Sequence, residues 1–303
     1  MNINETIKKI SIILGTSVSD IEKYVEIFQN KVIVIKYGGH AMGDKKLAHT
    51  FAEDVTLLQK LSIKPVVVHG GGPQIGSMLD KLKIESSFID GLRITNEETV
   101  EIVEMVLSGS INKDIVNKIH AAGGLAIGLS GKDAKLILAN KLTDKFKDPN
   151  SNIEKFLDIG FVGKPIKINP SIINIISDNL MIPIIAPVGF GANHETYNIN
   201  ADTAAGAIAS SLKAERILLL TDVKGVLDSN KKLISNISVT KAESMISDKI
   251  ITGGMIPKIK TCLETVGSGV KAAVIIDGRS PHAILREIFT TGGSGTMIDN
   301  NFE

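Results

Sequence analysis

The sequence predicts an α/β protein, a three-layer αβα sandwich around a mainly parallel sheet, with an N-terminal helix. Six short apolar runs rich in β-branched residues follow one another from residue 31 onward: KVIVIK, KPVVVHG, LAIGL, MIPIIAPV, RILLLTDV and KAAVIIDG. Amphipathic stretches such as LAHTFAEDVTLLQKL and ADTAAGAIASSL lie between several of them. Near-continuous apolar strands separated by helices are typical of a parallel sheet that is covered on both faces.

The segment before this pattern, residues 3–28, predicts helix outside the main sheet. Apolar residues recur at alternating spacings of three and four from Ile3 to Phe28, which marks one face of a helix. The stretch GTSVSD interrupts this spacing, so we expect one kinked helix or two short ones. Two roles are compatible with the pattern: a helix packed on its own core, or an arm that packs on another subunit.

The region from about residue 134 to 170 has a different character. It is rich in Lys, Asp, Asn and Pro and has only short apolar pieces, which predicts hairpins rather than βαβ units. The sequence shows no strong internal repeat and no low-complexity linker. Two lobes, if present, are therefore expected to be tightly joined.

Composition excludes several classes of function. The 303 residues are 43% hydrophobic, which is enough for one large or two modest domains, and the net charge is +1. Such a balance gives no global basic field for nucleic acid or an anionic membrane. The single cysteine, Cys262, excludes a disulfide framework and a cysteine-based zinc site. No apolar run reaches the roughly 18 residues of a membrane helix, so we expect a cytoplasmic protein.

Glycine-rich turns follow three of the predicted strands. They lie in VIVIKYGG, which contains Lys36, Gly38 and Gly39, in VVVHGGGPQIG, which contains Gly71 and Gly72, and in AIGLSGKD. Ligands of open α/β sheets bind beyond the carboxyl ends of the strands, and glycine lets backbone N–H groups approach an anion. Three such turns, one of them with a lysine, predict an anion-binding site. His69, which precedes the second turn, is interpreted as structural.

Three later segments add candidate residues. DGLRIT contains Arg93, YNINAD contains Asn198 and Asp202, and GGMIPK places Lys258 in the first turns of a predicted helix. A lysine at that position is unfavourable unless an anion is present. Plainer interpretations exist, with Asp202 as an ordinary carboxylate at a helix start and Lys258 as a solvated side chain. Neither the P-loop pattern nor the strand-linked G-x-G-x-x-G occurs, which argues against P-loop enzymes and Rossmann dehydrogenases.

Taken in order, eight segments resemble the N-acetylglutamate kinases of the amino-acid kinase family. They are IKYGGHAMGD, VVVHGGGPQIG, GLRIT, EIVEMVLSGSINK, YNINADTAAGAIA, LLLTDVKGVLD, ITGGMIPK and GSGTMI. The resemblance covers residues 31–300 and implies the amino-acid kinase fold. It also implies ATP-dependent phosphorylation of the side-chain carboxylate of N-acetyl-L-glutamate to N-acetyl-L-glutamyl 5-phosphate, the second step of arginine biosynthesis. Related kinases of carbamate, aspartate, glutamate and uridylate share the glycine turns, but not HGGGPQIG, GLRIT and YNINAD together.

The resemblance further implies a division of the chain into three parts. Residues 1–30 would be a helical extension for oligomerisation, residues 31–195 a lobe that binds the acylamino acid, and residues 196–303 a lobe that binds ATP. Long members of the family with such an extension are inhibited by arginine and form hexamers from dimers. As aligned, many of them have a histidine where this chain has Val274, which is a departure from the pattern.

Residue roles follow from the same resemblance. The expected catalytic residues are Lys36, Lys258 and Asp202, the substrate-binding residues Gly71, Gly72, Arg93 and Asn198, and the phosphate-binding residues Gly38 and Gly39. The expected nucleotide-binding residues are Asp222, Val223, Lys224, Gly225, Val226, Leu227, Ile250, Ile251 and Thr252, and the expected arginine-site residues are Glu287, Gly293 and Gly295. Mg²⁺ would be held mainly by phosphates, with no protein ligand. The alternatives are another carboxylate or carbamate kinase of this fold, or a non-catalytic arginine sensor.

Overall fold

The computed structural model describes residues 2–89, 91–143, 145–147, 154–156 and 158–299. The α-helices are α1 (Ile3–Leu14), α2 (Val18–Phe28), α3 (Lys45–Lys60), α4 (Gly72–Leu82), α5 (Glu97–Glu104), α6 (Asn112–Ala121), α7 (Ser171–Asp178), α8 (Ala201–Leu212), α9 (Val239–Ser247), α10 (Met255–Gly267) and α11 (Ala283–Phe289). A π-helical segment, Met105–Ile111, joins α5 to α6, and short 3₁₀ turns cover Gly39–Met42 and Asp133–Lys135.

The strands follow the predicted order along the chain. They are β1 (Val32–Tyr37), β2 (Lys64–His69), β3 (Phe88–Ile89), β4 (Leu92–Arg93), β5 (Ala126–Ser130), β6 (Ile137–Lys141), β7 (Lys145–Lys147), β8 (Glu154–Phe156), β9 (Val162–Ile168), β10 (Ile182–Ala186), β11 (Val188–Phe190), β12 (Thr196–Ile199), β13 (Arg216–Thr221), β14 (Asn236–Ser238), β15 (Ala272–Asp277) and β16 (Gly295–Asp299). All six strands expected from the apolar runs are present.

The central sheet has the strand order β14-β16-β15-β13-β1-β2-β10-β5. From β15 to β5 every neighbouring pair is parallel, and only the β15–β16 pair is antiparallel. Its strands are apolar on both faces: Ile33 and Ile35 point into one core, and Val34 points into the other. A parallel sheet whose strands are buried on both sides must be covered by helices on both sides.

Two helical layers provide this cover. Helices α1, α2, α3, α4, α6 and α11 contribute to the core on the side of Ile33, and α7, α8, α9 and α10 to the core on the side of Val34. The predicted αβα sandwich around a mainly parallel sheet is confirmed. Among the described residues, no helix combines the length and the apolar character needed to cross a bilayer.

The N-terminal segment forms two helices rather than one kinked helix. Gly15 ends α1 in the left-handed region, with a φ of 64°, and the Ser17 side chain caps the start of α2. The inner faces of both helices are buried in the protein's own core, for example at Ile10 and Phe28. Ile12 points outward and is 82% exposed. The helices therefore pack on their own chain, and their role in oligomerisation stays a prediction.

The region predicted to form hairpins does so where it is described. Strand β6 pairs with β9 and β7 pairs with β8, each time antiparallel. Strands β11, β12, β9 and β6 form a small sheet whose order closes on itself. The positions 144, 148–153 and 157 within this prediction lie outside the described residues.

Candidate active site

Three chain segments that are far apart in sequence place two lysines on one carboxylate. Lys36 lies near the carboxyl end of β1, and Asp202 and Lys258 lie in the first turns of α8 and α10. The Lys36 ammonium is 3.1 Å from Asp202 Oδ1, and Lys258 donates a hydrogen bond of 2.7 Å to Asp202 Oδ2. The Asn200 side chain caps α8 by accepting from the N–H groups of Asp202 and Thr203, which fixes the start of that helix.

The two cations decide the charge state of Asp202. Burial alone raises the pKa of this carboxyl, because a charge is costly in an apolar surrounding. Lys36 and Lys258 outweigh burial and hold the pKa of Asp202 below its ordinary value. The group is therefore a carboxylate that separates two ammonium groups, and the cluster carries one net positive charge that an anionic ligand can neutralise.

The first two glycine turns meet beside Lys36. The Gly70 N–H donates to the Tyr37 carbonyl at 2.7 Å, which ties the turn after β2 to the turn after β1. A Cβ at Gly38 would lie 3.0 Å from the Lys36 ammonium, and a Cβ at Gly39, where φ is 69°, would lie 2.7 Å from Asp222 Oδ1. Side chains at these two positions would fill the space around the lysine and displace the Asp222 carboxylate.

Helix α4 begins in this turn with its amide groups facing the crevice. Gly71 is its N-cap and provides no side-chain acceptor, and Pro73 occupies the first turn, as predicted. The unpaired N–H groups of a helix start and its partial positive charge attract anions. A Cβ at Gly71 would lie 2.4 Å from Ile111 Cδ1, so the turn packs directly on the π-helical segment.

A cavity of about 190 Å³ opens next to this turn. Its lining includes Gly71, Gly72, Arg93 and Asn198, all of which were expected to bind substrate, and Ala201, which precedes Asp202. The structure thus brings the expected substrate residues together beside the lysine pair. Apolar side chains form much of the remaining wall.

Arg93 is buried, with only 7% of its surface exposed, and its guanidinium makes three contacts. It donates to the Gly72 carbonyl at 3.1 Å and to the Ser86 hydroxyl, and it stacks over the Phe88 ring at 4.5 Å. Asn198 donates to the Thr95 hydroxyl at 3.3 Å. Sequence reasoning missed Ser86, Phe88 and Thr95, although all three lie within seven residues of Arg93.

The expected nucleotide residues differ in exposure. Val223, Lys224, Leu227, Ile250 and Thr252 are exposed, whereas Gly225, Val226 and Ile251 are buried. The Val226 N–H donates to the Thr296 hydroxyl at 2.8 Å, which anchors the loop after β13 to β16. The side chains of Val226 and Ile251 belong to the core, so only the exposed members offer side-chain contacts to a ligand.

The expected arginine-site residues lie in α11, in the turn that follows it and at the start of β16. Glu287 is buried on α11, accepts from the Ser294 N–H at 2.7 Å and pairs with Arg216 at 3.3 Å. Burial raises the pKa of Glu287. A Cβ at Gly293 would lie 2.7 Å from the Glu287 carboxylate, whereas Gly295 packs on the Ile275 carbonyl of β15. Gly295 thus has a packing role, and Glu287 and Gly293 are in contact.

The third glycine turn has a different role from the one expected. Gly128 lies inside β5, and a Cβ there would come within 1.8 Å of Asn112 Oδ1. A Cβ at Gly131 would lie 2.4 Å from the Val188 carbonyl. Both glycines make room for close packing. Sequence reasoning overlooked Asn112, which is the first residue of α6, is fully buried and contacts the strands β2, β5 and β10.

This fold and this crevice of lysines, glycines and one carboxylate are those of a phosphotransferase. The chain belongs to the amino acid kinase family, whose match covers residues 31–277. It is similar to the acetylglutamate kinase of Rhodospirillum centenum, with 58% identity over 282 residues, 93% of this chain and 92% of the relative. The acetylglutamate kinase of Gluconobacter oxydans is 57% identical over 275 residues, 91% of this chain and 93% of the relative. The resemblance found in the sequence is confirmed.

Solved structures support the fold. The N-acetylglutamate synthase from Neisseria gonorrhoeae, complexed with coenzyme A and N-acetyl-glutamate, matches 94% of this chain with a TM-score of 0.81 and 19% identity. This chain spans only 63% of that protein. Carbamate kinase from Giardia lamblia bound to AMP-PNP matches 89% of this chain and 98% of its own, with a TM-score of 0.63 and 17% identity. At these identities the likeness concerns the fold alone.

Proposed function

We propose that this protein transfers the γ-phosphoryl group of ATP to the side-chain carboxylate of N-acetyl-L-glutamate, as the second step of arginine biosynthesis in the cytoplasm. The observation that carries the proposal is the contact of Lys36 and Lys258 with opposite oxygens of Asp202, directly beside the Arg93 cavity. The identity to acetylglutamate kinases over more than nine-tenths of the chain supports the choice of acceptor.

The reaction needs charge neutralisation rather than a general base. A side-chain carboxylate, with a pKa of about 4.3, is already ionised at neutral pH. One of its oxygens forms a bond to the γ-phosphorus while the bond from that phosphorus to the β-γ bridging oxygen breaks, and the electron pair leaves with ADP. Lys36 and Lys258 stabilise the charge on the transferring group, and Asp202 sets the distance between them. The N–H groups of Gly38 and Gly39 bind the phosphate oxygens.

The Arg93 cavity holds the acceptor. The guanidinium of Arg93 binds the α-carboxylate of the substrate, a role suited to its planar fork of donors. Gly71 and Gly72 offer backbone N–H groups, and Asn198 hydrogen-bonds the substrate. Because Gly72 and Ser86 already position Arg93, little conformational freedom is lost when the substrate binds.

The nucleotide lies along residues 222–227 and 250–252 of the C-terminal lobe. Mg²⁺ bound to the phosphates would neutralise their charge. Among the described residues, no three His, Cys, Asp or Glu side chains are grouped to hold a metal. The oxygens of Asp202 already face two lysines. Phosphates and water would provide most of the ligands of this ion.

Arginine is proposed as a feedback inhibitor, and a hexamer built from dimers as the assembly. The buried Glu287 carboxylate beside Gly293 provides the anionic group for a guanidinium, and the exposed Ile12 on α1 provides an apolar contact for another subunit. Arginine titration of the wild type and of Glu287→Gln tests the first idea, with lysine as the control ligand. We expect Glu287→Gln to need at least about tenfold more arginine, because a neutral amide replaces the charge partner. Equal inhibition of both proteins would exclude Glu287.

The decisive experiment measures ADP release with a panel of acceptors. N-acetylglutamate, glutamate, aspartate, carbamate and UMP are compared at equal concentration with Mg-ATP. We expect turnover with N-acetylglutamate well above that with the others. Turnover of a different acceptor would assign another kinase of this fold, and arginine binding without any turnover would assign a sensor.

A further inference from the structure

We infer that His69 and Asn112 are positioning residues that orient the glycine turn at the start of α4 for the phosphoryl-transfer reaction. The inference deepens the proposed function and rests on it. His69 is the last residue of β2 and directly precedes the turn, whereas Asn112 is the first residue of α6. Both side chains are fully buried, and neither lines the cavity that holds Arg93.

The hydrogen bonds of the pair fix the orientation of the imidazole. His69 Nδ1 lies 2.9 Å from the Gly70 carbonyl oxygen, which can only accept, so Nδ1 must carry the proton. In a neutral ring Nε2 is then an acceptor, and Asn112 Nδ2 donates to it at 3.3 Å. Burial lowers the pKa of His69 to about 4, which keeps the ring neutral at physiological pH.

Asn112 is itself held by the sheet. Its Nδ2 also donates to the Ile184 carbonyl at 2.9 Å and to the Leu129 carbonyl at 3.2 Å. These atoms belong to β10 and β5, which follow β2 in the sheet order. A single buried amide thus connects three neighbouring strands. A reversed Asn112 amide would place its oxygen against the carbonyl oxygens of Leu129 and Ile184, so the observed orientation is fixed.

This connection leads directly to the turn that meets the substrate. The Gly70 carbonyl is part of the peptide unit that includes the Gly71 N–H, so its hydrogen bond to His69 sets the direction in which that N–H points. The π-helical segment supports the turn from the other side, because Ile111 and Leu107 would both lie under 3 Å from a Cβ at Gly71. Such segments are often found at functional sites.

A matched pair of substitutions separates positioning from stability. In His69→Asn the amide nitrogen takes the place of Nδ1 and keeps the donor to the Gly70 carbonyl. In His69→Gln the amide oxygen takes the place of Nε2 and keeps only the acceptor for Asn112. Each variant loses one hydrogen bond, so similar losses of thermal stability are expected.

The expected results differ for the two variants. With N-acetylglutamate and Mg-ATP, kcat should fall at least about tenfold in His69→Gln and stay within about threefold of the wild type in His69→Asn, because small displacements in a reactive site are costly. The KM for ATP should change little, since the proposed nucleotide contacts lie outside this turn. Equal losses of kcat, or losses that follow the melting temperature, would overturn the inference.

Hydrogen exchange provides a readout that does not require turnover. Exchange of the backbone amides of Gly71, Gly72, Gln74 and Ile75 should be faster in His69→Gln than in His69→Asn, while exchange in β15 stays the same. If the wild type does not phosphorylate N-acetylglutamate, the proposed function fails. The difference in hydrogen exchange between the two variants still tests whether His69 orients the turn. Should His69→Gln not fold, Asn112→Ser replaces it: the shorter hydroxyl cannot reach His69, and unchanged exchange at residues 71–75 would refute the inference.

Discussion

Lys36 and Lys258 contact the same carboxylate in different ways. Lys258 donates a hydrogen bond to Asp202 Oδ2 at 2.7 Å, whereas Lys36 lies 3.1 Å from Oδ1, which accepts no aligned hydrogen bond from the described residues. Lys258 is therefore anchored by an aligned hydrogen bond, whereas the contact of Lys36 with Asp202 lacks this alignment. Lys36 can turn its donors toward an incoming phosphoryl group while Lys258 keeps Asp202 in place.

Replacement of Lys36 is expected to affect catalysis far more than stability. In Lys36→Ala, kcat should fall by about 100-fold or more, because one of two cations at the transferring group is lost. The melting temperature should change little, since Asp202 keeps Lys258 as its partner. Steady-state kinetics and thermal unfolding check this, with Lys260→Ala, at an exposed position on α10, as the control. An unchanged kcat in Lys36→Ala would remove Lys36 from the mechanism.

Replacement of Arg93 is expected to affect one substrate only. In Arg93→Lys the KM for N-acetylglutamate should rise about tenfold or more, equal to at least about 1.4 kcal/mol, because an ammonium cannot bind a carboxylate in bidentate fashion or stack on Phe88. The KM for ATP should stay within about twofold. Arg286→Lys, at an exposed position on α11, is the control. If both KM values rose together, Arg93 would be assigned to folding of the lobe instead.

The assembly is tested better by a point substitution than by deletion of the N-terminal helices. Deletion of residues 1–28 would also remove Ile10, Ile21 and Phe28 from the core and so destabilise the subunit. Ile12→Glu changes only an exposed side chain and should leave dimers in light scattering, because a charge at an apolar contact is costly. Lys23→Ala, whose side chain is 71% exposed, is the control. Persistence of the full assembly would refute the role of α1.

Acid is expected to destabilise the protein through His69. The pKa of His69 is lowered from 6.5 to about 4 by burial, so the unfolded chain takes up a proton below pH 6.5 that the folded chain does not. The contribution of the neutral His69 ring to the free energy of unfolding is therefore present above pH 6.5 and is lost as pH falls from 6.5 toward 4. By linkage the loss through this residue is about 2 kcal/mol between pH 7 and pH 5.

Urea unfolding at pH 7 and pH 5 measures this loss. His69→Gln has no titrating ring, so its unfolding free energy should fall less between the two values than that of the wild type. A His120→Gln variant, which removes a histidine at another position, provides the comparison. The same fall in His69→Gln and in the wild type would show that other groups cause the acid sensitivity.

The parts of this structure that local patterns determine could be predicted from the sequence. Apolar runs and helical spacing predicted the six central strands, α3, α8 and the two-layered cover, because burial on both faces leaves a clear signal. The start of α4 followed from Gly72 and Pro73. The meeting of Lys36, Asp202 and Lys258 was expected only through the resemblance, since no local pattern brings together residues that are 56 or more positions apart.

What could not be predicted depends on contacts between distant segments. Asn112 and His69 are 43 positions apart, and each looks ordinary in its own segment. The three glycine turns taken together predicted an anion site, yet Gly128 in the third makes room for the Asn112 amide. The spacing of three and four residues placed Ile10 on the helical stripe and left Ile12 outside it, in agreement with their burial and exposure. This spacing does not show what an exposed Ile12 contacts.

Because Gly128 lies so close to Asn112, the effects of substitutions at these two positions are coupled. A methyl group at residue 128 would come within 1.8 Å of the amide oxygen, so alanine there requires a smaller residue at position 112. Gly128→Ala alone should then be more damaging than Gly128→Ala combined with Asn112→Ser, although the second protein carries more changes. A double-mutant cycle would show strongly non-additive effects on the melting temperature. In a randomised library, acceptable residues at the two sites should be correlated.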